Sequence, residues 1–181
     1  MYKLPITAII LCGGRGIRMN NQDKGLILFK GQPLFEHLIE RLSPQVQHIM
    51  INANRHQTTY QLSGYPVFSD VISGYLGPLA GIYSGLYYAT TDWCLFVSCD
   101  TPFIPENLVI KLYHSLDNYG AAYVSDGKRN HPTLLMIHKK LMQPLKSYIE
   151  SGERKLQLFL KQHQARKVDF SESPHSFINI N

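Results

Sequence analysis

Ile6-Thr7-Ala8-Ile9-Ile10-Leu11 runs straight into Cys12-Gly13-Gly14-Arg15-Gly16-Ile17-Arg18-Met19, and Asp23-Lys24-Gly25 follows closely. A nearly unbroken apolar run of this length is the mark of a strand buried on both faces, as in a parallel sheet covered by helices. Residues 46–51 and Trp93–Ser98 carry the same pattern. Between them lie segments with helical spacing. Residues 33–42 place Leu34, Leu38 and Leu42 on one face behind a proline, and 78–89 and 105–116 also open on proline. Two further helices are expected over 139–150 and 153–162, parted by Ser151-Gly152, with Pro144 kinking or shortening the first. Ala121–Ser125 and residues 132–137 flank Asp126-Gly127-Lys128-Arg129-Asn130, a hairpin spacing that makes the sheet mixed. Strand–helix alternation predicts an α/β fold of three layers around a mostly parallel (mixed) sheet. In such sheets ligands sit at the carboxyl ends of the strands, so residues just after each strand carry the most information.

The 181 residues fit a single domain, 1–181. Hydrophobic residues make up 44% and charged residues 17%, ordinary values for a globular chain. No apolar run reaches the roughly 18–20 residues that span a bilayer, so no membrane partner is expected. The first five residues lead directly into a strand without the features of a signal peptide, which points to the cytoplasm. Cys12, Cys94 and Cys99 are odd in number and lack CxxC spacing, so they read as small packing residues. Cys94 and Cys99, five apart around one strand, belong on opposite faces. The net charge of +5 is spread without a basic run; Lys139-Lys140 and Arg154-Lys155 are the longest clusters. So small an excess suits a small polyanion such as a triphosphate, and nucleic acid is not an expected partner.

Glycines at a strand end let backbone amides approach phosphate oxygens. The loop after Leu11 fits neither the Walker pattern, which needs a following Gly-Lys-Ser/Thr, nor the dinucleotide fingerprint, whose third glycine would fall at Met19. Glycines alone are equally compatible with a plain turn. Arg15, Arg18 and Lys24 add the positive charge that a triphosphate needs, although any one of them could be a solvated loop charge. Asp100, after Val97-Ser98-Cys99, stands where a magnesium carboxylate would stand. It could equally cap the helix that follows, with Pro102 as a helix start. Asp70, after Val67-Phe68-Ser69, and Asn52, after Ile51, reach the same crevice.

These blocks occur with Asn52-Ala53-Asn54-Arg55, Gly77-Pro78-Leu79-Ala80-Gly81, Cys99-Asp100-Thr101-Pro102, His131-Pro132-Thr133, Gly152-Glu153-Arg154 and a terminal Phe177-Ile178-Asn179-Ile180-Asn181. Together they resemble the molybdenum cofactor guanylyltransferases over nearly the whole chain. The early blocks are shared by many nucleotidyltransferases. The Asn-Ala-Asn-Arg, Gly-Glu-Arg and Asn-x-Asn blocks look particular to this family and point to a pterin acceptor. The resemblance implies a Rossmann-like nucleotidyltransferase fold, GTP as donor, molybdopterin carrying molybdenum as acceptor, and Mg²⁺ as cofactor. It implies GTP contacts from Leu11, Cys12, Gly13, Gly14, Lys24, Asn52, Asp70 and Asp100, with Asp100 on the metal. Lys24, Asp100 and Arg18 would be catalytic, and Asn179 and Asn181 would bind the acceptor. A donor half of about 1–105 and an acceptor half of about 106–181 follow. Molybdenum-insertion and molybdoenzyme chaperone proteins are the implied partners. Cys12 and Asn20 depart from the alanine and glycine usual there, and relatives usually run on past 181. The rivals are cytidylyl transfer, transfer to another phosphate acceptor, and a GTP- or pterin-binding module without catalysis.

Overall fold

β1 (Leu4–Leu11) alternates its side chains between two apolar layers. Ile6, Ala8 and Ile10 enter one core cluster and Ile9 the other. A strand so placed must be covered on both faces, and the computed structural model, which describes residues 2–14, 21–74 and 76–180, shows this. α1 (Leu34–Leu42) and α4 (Leu108–His114) pack on the first face through Phe35, Leu38, Leu42, Leu108, Val109 and Leu112. α3 (Pro78–Tyr88), α5 (Met142–Glu150) and α6 (Leu156–Gln162) pack on the second through Leu79, Leu86, Leu145, Ile149 and Phe159. The short α2 (Gln57–Gln61) adds the buried Tyr60 to the first.

The central sheet has seven strands in the order β5-β4-β1-β6-β8-β7-β9. These are β4 (Val46–Asn52), β5 (Val67–Phe68), β6 (Trp93–Ser98), β7 (Ala121–Ser125), β8 (Asn130–His138) and β9 (Arg166–Asp169), with β1. β1 pairs in parallel with both β4 and β6, and β4 with β5. β8 pairs antiparallel with β6 and β7, and β9 returns parallel to β7. Among the described residues β8 is therefore the one reversed strand of this sheet, as the hairpin spacing foretold. β2 (Leu28–Phe29) and β3 (Gln32–Pro33) form a separate two-stranded ribbon before α1. The order of the chain reverses across β1 and β6, which opens a crevice at their carboxyl ends.

Three expected helices are shorter than their patterns. Residues 105–107 form a turn, with Leu108 N–H donating to the Pro105 carbonyl, and α4 starts only beyond it. Lys139–Leu141 is a 3₁₀ turn, and α5 begins at Met142, which brings Pro144 into the first helical turn where its missing N–H costs nothing. Residues 153–155 stay outside α6 because Lys155 is extended and Arg154 turns back to the Ile149 carbonyl. The three cysteines are buried and unpaired. Cys12 and Cys99 lie in one core cluster and Cys94 in the other, the opposite-face arrangement expected. Among the described residues no helix is long and apolar enough to cross a membrane.

Candidate active site

Asn52, Leu11 and Ser98 stand side by side at the ends of β4, β1 and β6, because the register pairs Leu11 with both. Above them opens a cavity of about 580 Å³. Its walls include Leu11, Gly13, Gly14, Asn52 and Asp70, together with Ser98, Thr133 and the start of α3 at Gly77, Pro78 and Gly81. The helix start borders the space, and a helix N-terminus carries the positive end of the dipole, a setting for an anion. Asp70 is fixed by two amides. Asn52 Nδ2 donates to Oδ1 at 2.9 Å and Asn54 Nδ2 donates to Oδ2 at 2.9 Å. Asn54 returns the contact by accepting from Asp70 N–H at 2.8 Å. With its amide committed to Asp70, Asn52 turns Oδ1 toward Gly13 and Gly81. A Cβ on Gly81 would lie 2.6 Å from that oxygen and 2.9 Å from Leu11 Cδ2, so a side chain there would have to displace one or both.

Asp100 lies two residues beyond Ser98 and is 9% exposed. Ser98 Oγ donates to its Oδ1 at 2.7 Å, and Lys24 Nζ donates to its Oδ2 at 3.4 Å across 76 residues of sequence. Asp100 is no helix cap, since α4 begins only at Leu108. Its backbone carbonyl accepts from Ile180 N–H at 2.8 Å, which lays the C-terminal segment against the same place. Lys24 opens a 3₁₀ turn, Lys24–Leu26, and keeps its side chain 40% exposed, so the ammonium remains within reach of a ligand.

The cavity thus gathers Leu11, Gly13, Gly14, Asn52 and Asp70, and Lys24 with Asp100 form a pair joined to it through Ser98. Cys12 differs from the expectation. Its side chain packs in the core and its N–H donates to the Asn52 carbonyl at 2.8 Å, while Gly13 and Gly14 line the cavity. Burial pushes the Cys12 thiol well up from its ordinary range, with Cys99 beside it, so it is a packing group. Asn179 is exposed, next to the segment that reaches Asp100. Arg15, Arg18, Met19, Asn20 and Asn181 lie outside the described residues. The Asn-Ala-Asn-Arg block builds the wall beside the glycine loop. Asn52 and Asn54 hold Asp70, and Arg55 donates to the carbonyls of Asn21 at 3.0 Å and Gly14 at 3.4 Å. Sequence reasoning missed Asn54, Ser98 and Thr133 as wall residues and Arg55 as a support of the loop behind them. The one local signal was the spacing of Asn54 two residues beyond Asn52.

The model of the MobA-like NTP transferase domain matches residues 8–168. The chain belongs to the MobA-like NTP transferase family. Proteins named molybdenum cofactor guanylyltransferase from Yersinia pseudotuberculosis and Yersinia pestis are each 47% identical to it over 97% of this chain and 90% of theirs. Membership makes the chain a nucleotidyltransferase. Among solved structures, the molybdopterin-guanine dinucleotide biosynthesis protein A of Archaeoglobus fulgidus superposes with a TM-score of 0.78 at 22% identity, covering 97% of this chain and 92% of that one. A 4-diphosphocytidyl-2C-methyl-D-erythritolsynthase from Anaerococcus prevotii gives 0.75 at 16% identity, covering 97% and 90%. At such identities the likeness concerns the fold alone. MobA-like members thus share their sheet with a protein named for a cytidylyl product, and the fold does not choose the base.

Proposed function

We propose that this MobA-like chain is a molybdenum cofactor guanylyltransferase: it transfers GMP from GTP to molybdenum-bearing molybdopterin, with Mg²⁺, and releases pyrophosphate. The name and 47% identity of the Yersinia relatives support the substrates. The observation that carries the chemistry is the pairing of Lys24 with Asp100, distant in sequence, beside the glycine-loop cavity. A module that only bound GTP or pterin would have no need of that pair.

Asp100 fits a magnesium ion. Among the described residues no three His, Cys, Asp or Glu side chains gather as a metal cluster. Magnesium instead takes one or two carboxylates and completes its shell with phosphate oxygens and water. Asp100 would hold it, and the ion would supply charge neutralisation on the triphosphate. The residues do the positioning. Amides from Gly13 and Gly14 and the start of α3 receive the phosphates, and Asp70 offers fixed acceptor lone pairs to the donor's hydroxyl and N–H groups. The acceptor's terminal phosphate oxygen attacks the α-phosphorus of GTP. A new P–O bond forms as the bond to the β-phosphate oxygen breaks, and pyrophosphate departs with that electron pair. The attacking phosphate is already ionised, so no general base is required. Lys24 stabilises the charge on the α-phosphate oxygens. Arg18 and the pterin contacts of Asn179 and Asn181 are proposed on the same resemblance. The cytoplasm is the proposed setting, with molybdenum-insertion proteins and molybdoenzyme chaperones as the proposed partners.

The test is incubation with GTP and molybdenum-loaded molybdopterin, with and without EDTA. Guanine dinucleotide cofactor and pyrophosphate should appear in equal amounts, and only with free Mg²⁺. Full turnover in EDTA would remove the metal from the account, and no product in Mg²⁺ would overturn the reaction.

A further inference from the structure

Asp23 is a buried carboxylate that the mechanism leaves without a task. It is 7% exposed and is engaged from three directions. Tyr60 donates its hydroxyl to Oδ1 at 2.5 Å, Gly25 N–H donates to the same oxygen at 3.2 Å, and His56 Nδ1 lies 3.1 Å from Oδ2. A buried carboxylate is costly unless it is bonded in this way. Tyr60 is itself fixed: it is fully buried in α2 and meets Phe35 edge-on at 4.8 Å. Burial, the neighbouring Cys12 and the bond to Asp23 all push its hydroxyl far up, so it stays protonated and keeps donating. His56 enters α2 in a left-handed conformation, φ 52, which a non-glycine residue adopts at a cost and which orients its ring toward Asp23.

The node has no slack on the side of the turn. A Cβ on Gly25 would lie 2.4 Å from Tyr60 Oη and 3.1 Å from Cys12 Sγ. The backbone of the Lys24–Leu26 turn is thus pressed against the node while Lys24 reaches out to Asp100. Lysine is a point charge on a flexible stem, so its placement depends on the backbone that carries it. No bond from Asp23 to a cavity residue is needed for it to matter.

We propose that Asp23 is the positioning residue for Lys24: through Tyr60, Gly25 and His56 it fixes the turn from which the Lys24 ammonium meets the transferring phosphate and Asp100. This rests on the role given to Lys24 above. It assigns Asp23 no contact with substrate, and its effect must pass entirely through Lys24.

A double-mutant cycle separates that from a merely structural role. Asp23→Asn, Lys24→Ala and the double variant are compared with the wild type in kcat, in KM and Kd for GTP, and in Tm. Asp23→Asn is expected to lower kcat roughly 10-fold with little change in KM, since small misplacements of a positioning group cost up to about 100-fold. Lys24→Ala is expected to lose roughly 10²–10³-fold. The double variant should then match Lys24→Ala alone, and losses that multiply would overturn the proposal. So would wild-type kcat in Asp23→Asn. If Asp23→Asn does not fold, Tyr60→Phe runs the same cycle, because it removes the hydroxyl donor and keeps the ring. If the wild type turns over no GTP, the reaction itself falls. The cycle in Kd then still decides the coupling, with additive losses counting against it.

Discussion

The two sides of β6 build the same rim by different means. On the side of β1, β4 and β5 the strands are parallel, and each delivers a polar group at or just past its carboxyl end: the glycine loop, Asn52, Asp70, and Asp100 from β6 itself. On the other side β8 runs backward, so its beginning lies at the rim and Thr133 lines the cavity. That side is held by a hairpin and a tail. Asp126 accepts from Lys128 N–H at 2.8 Å and Arg129 N–H at 2.7 Å and meets His131 Nε2 at 2.8 Å. His131 stacks at 5.5 Å on Phe177, from which the chain runs on to Ile180 and its bond with Asp100. A single rule, look just past the strand, finds the parallel side. The antiparallel side is assembled from long-range pairs that no local rule reports.

Four substitutions would break or sharpen this contrast. Asp100→Ala removes the group both sides share and should lower kcat roughly 10²–10³-fold with the fold intact by circular dichroism. Near-wild-type turnover would remove Asp100 from the chemistry. Phe177→Ala empties a buried site on the antiparallel side. It should cost about 3 kcal/mol in denaturant unfolding and raise KM for the pterin more than for GTP. An equal rise in both would mean that the two sides are not separate. Gly81→Ala forces a methyl group against Asn52 on the parallel side, at a cost of about 1–3 kcal/mol. It should raise KM for GTP about 10-fold while the pterin KM holds, as measured by steady-state kinetics. Asp126→Asn has the smallest effect. The His131 bond and the two backbone N–H groups lower the Asp126 pKa from 3.8 to about 2. A carboxylate with a depressed folded pKa contributes stability above its unfolded pKa and loses it as pH falls through the folded value. The variant should therefore be about 1 kcal/mol less stable near pH 7. The gap should close between about pH 4 and pH 2 in urea melts, and a gap independent of pH would deny the charge its role.

Much of the parallel side was legible. The apolar runs at β1, β4 and β6 and the proline that opens α3 mark the parallel half, and the residues at the ends of those runs are the ones the cavity gathers. Asp100 was ambiguous in sequence between helix cap and metal carboxylate; the turn that delays α4 to Leu108 removes the first reading. β9 escaped notice because only Val168 of its four residues is buried, so it shows no alternation. α2 escaped because Tyr60 is the one buried side chain in a polar five-residue segment. Asn54 and Asp23 could not be weighed because each acts through a partner far along the chain, Asp70 at 16 residues and Tyr60 at 37. Lys24 and Asp100 were both named, but their direct contact is a fact of the sheet, which carries β1 and β6 side by side.

The central claim is that this site activates the α-phosphate of GTP for a pterin phosphate. The most direct measurement is pyrophosphate release from GTP, CTP, ATP and UTP in Mg²⁺, each with and without molybdenum-loaded molybdopterin. Release from GTP alone, and only with the pterin present, is the predicted result. Release from CTP with the pterin would keep the chemistry but contradict the donor, and release from none of the four would contradict the claim itself.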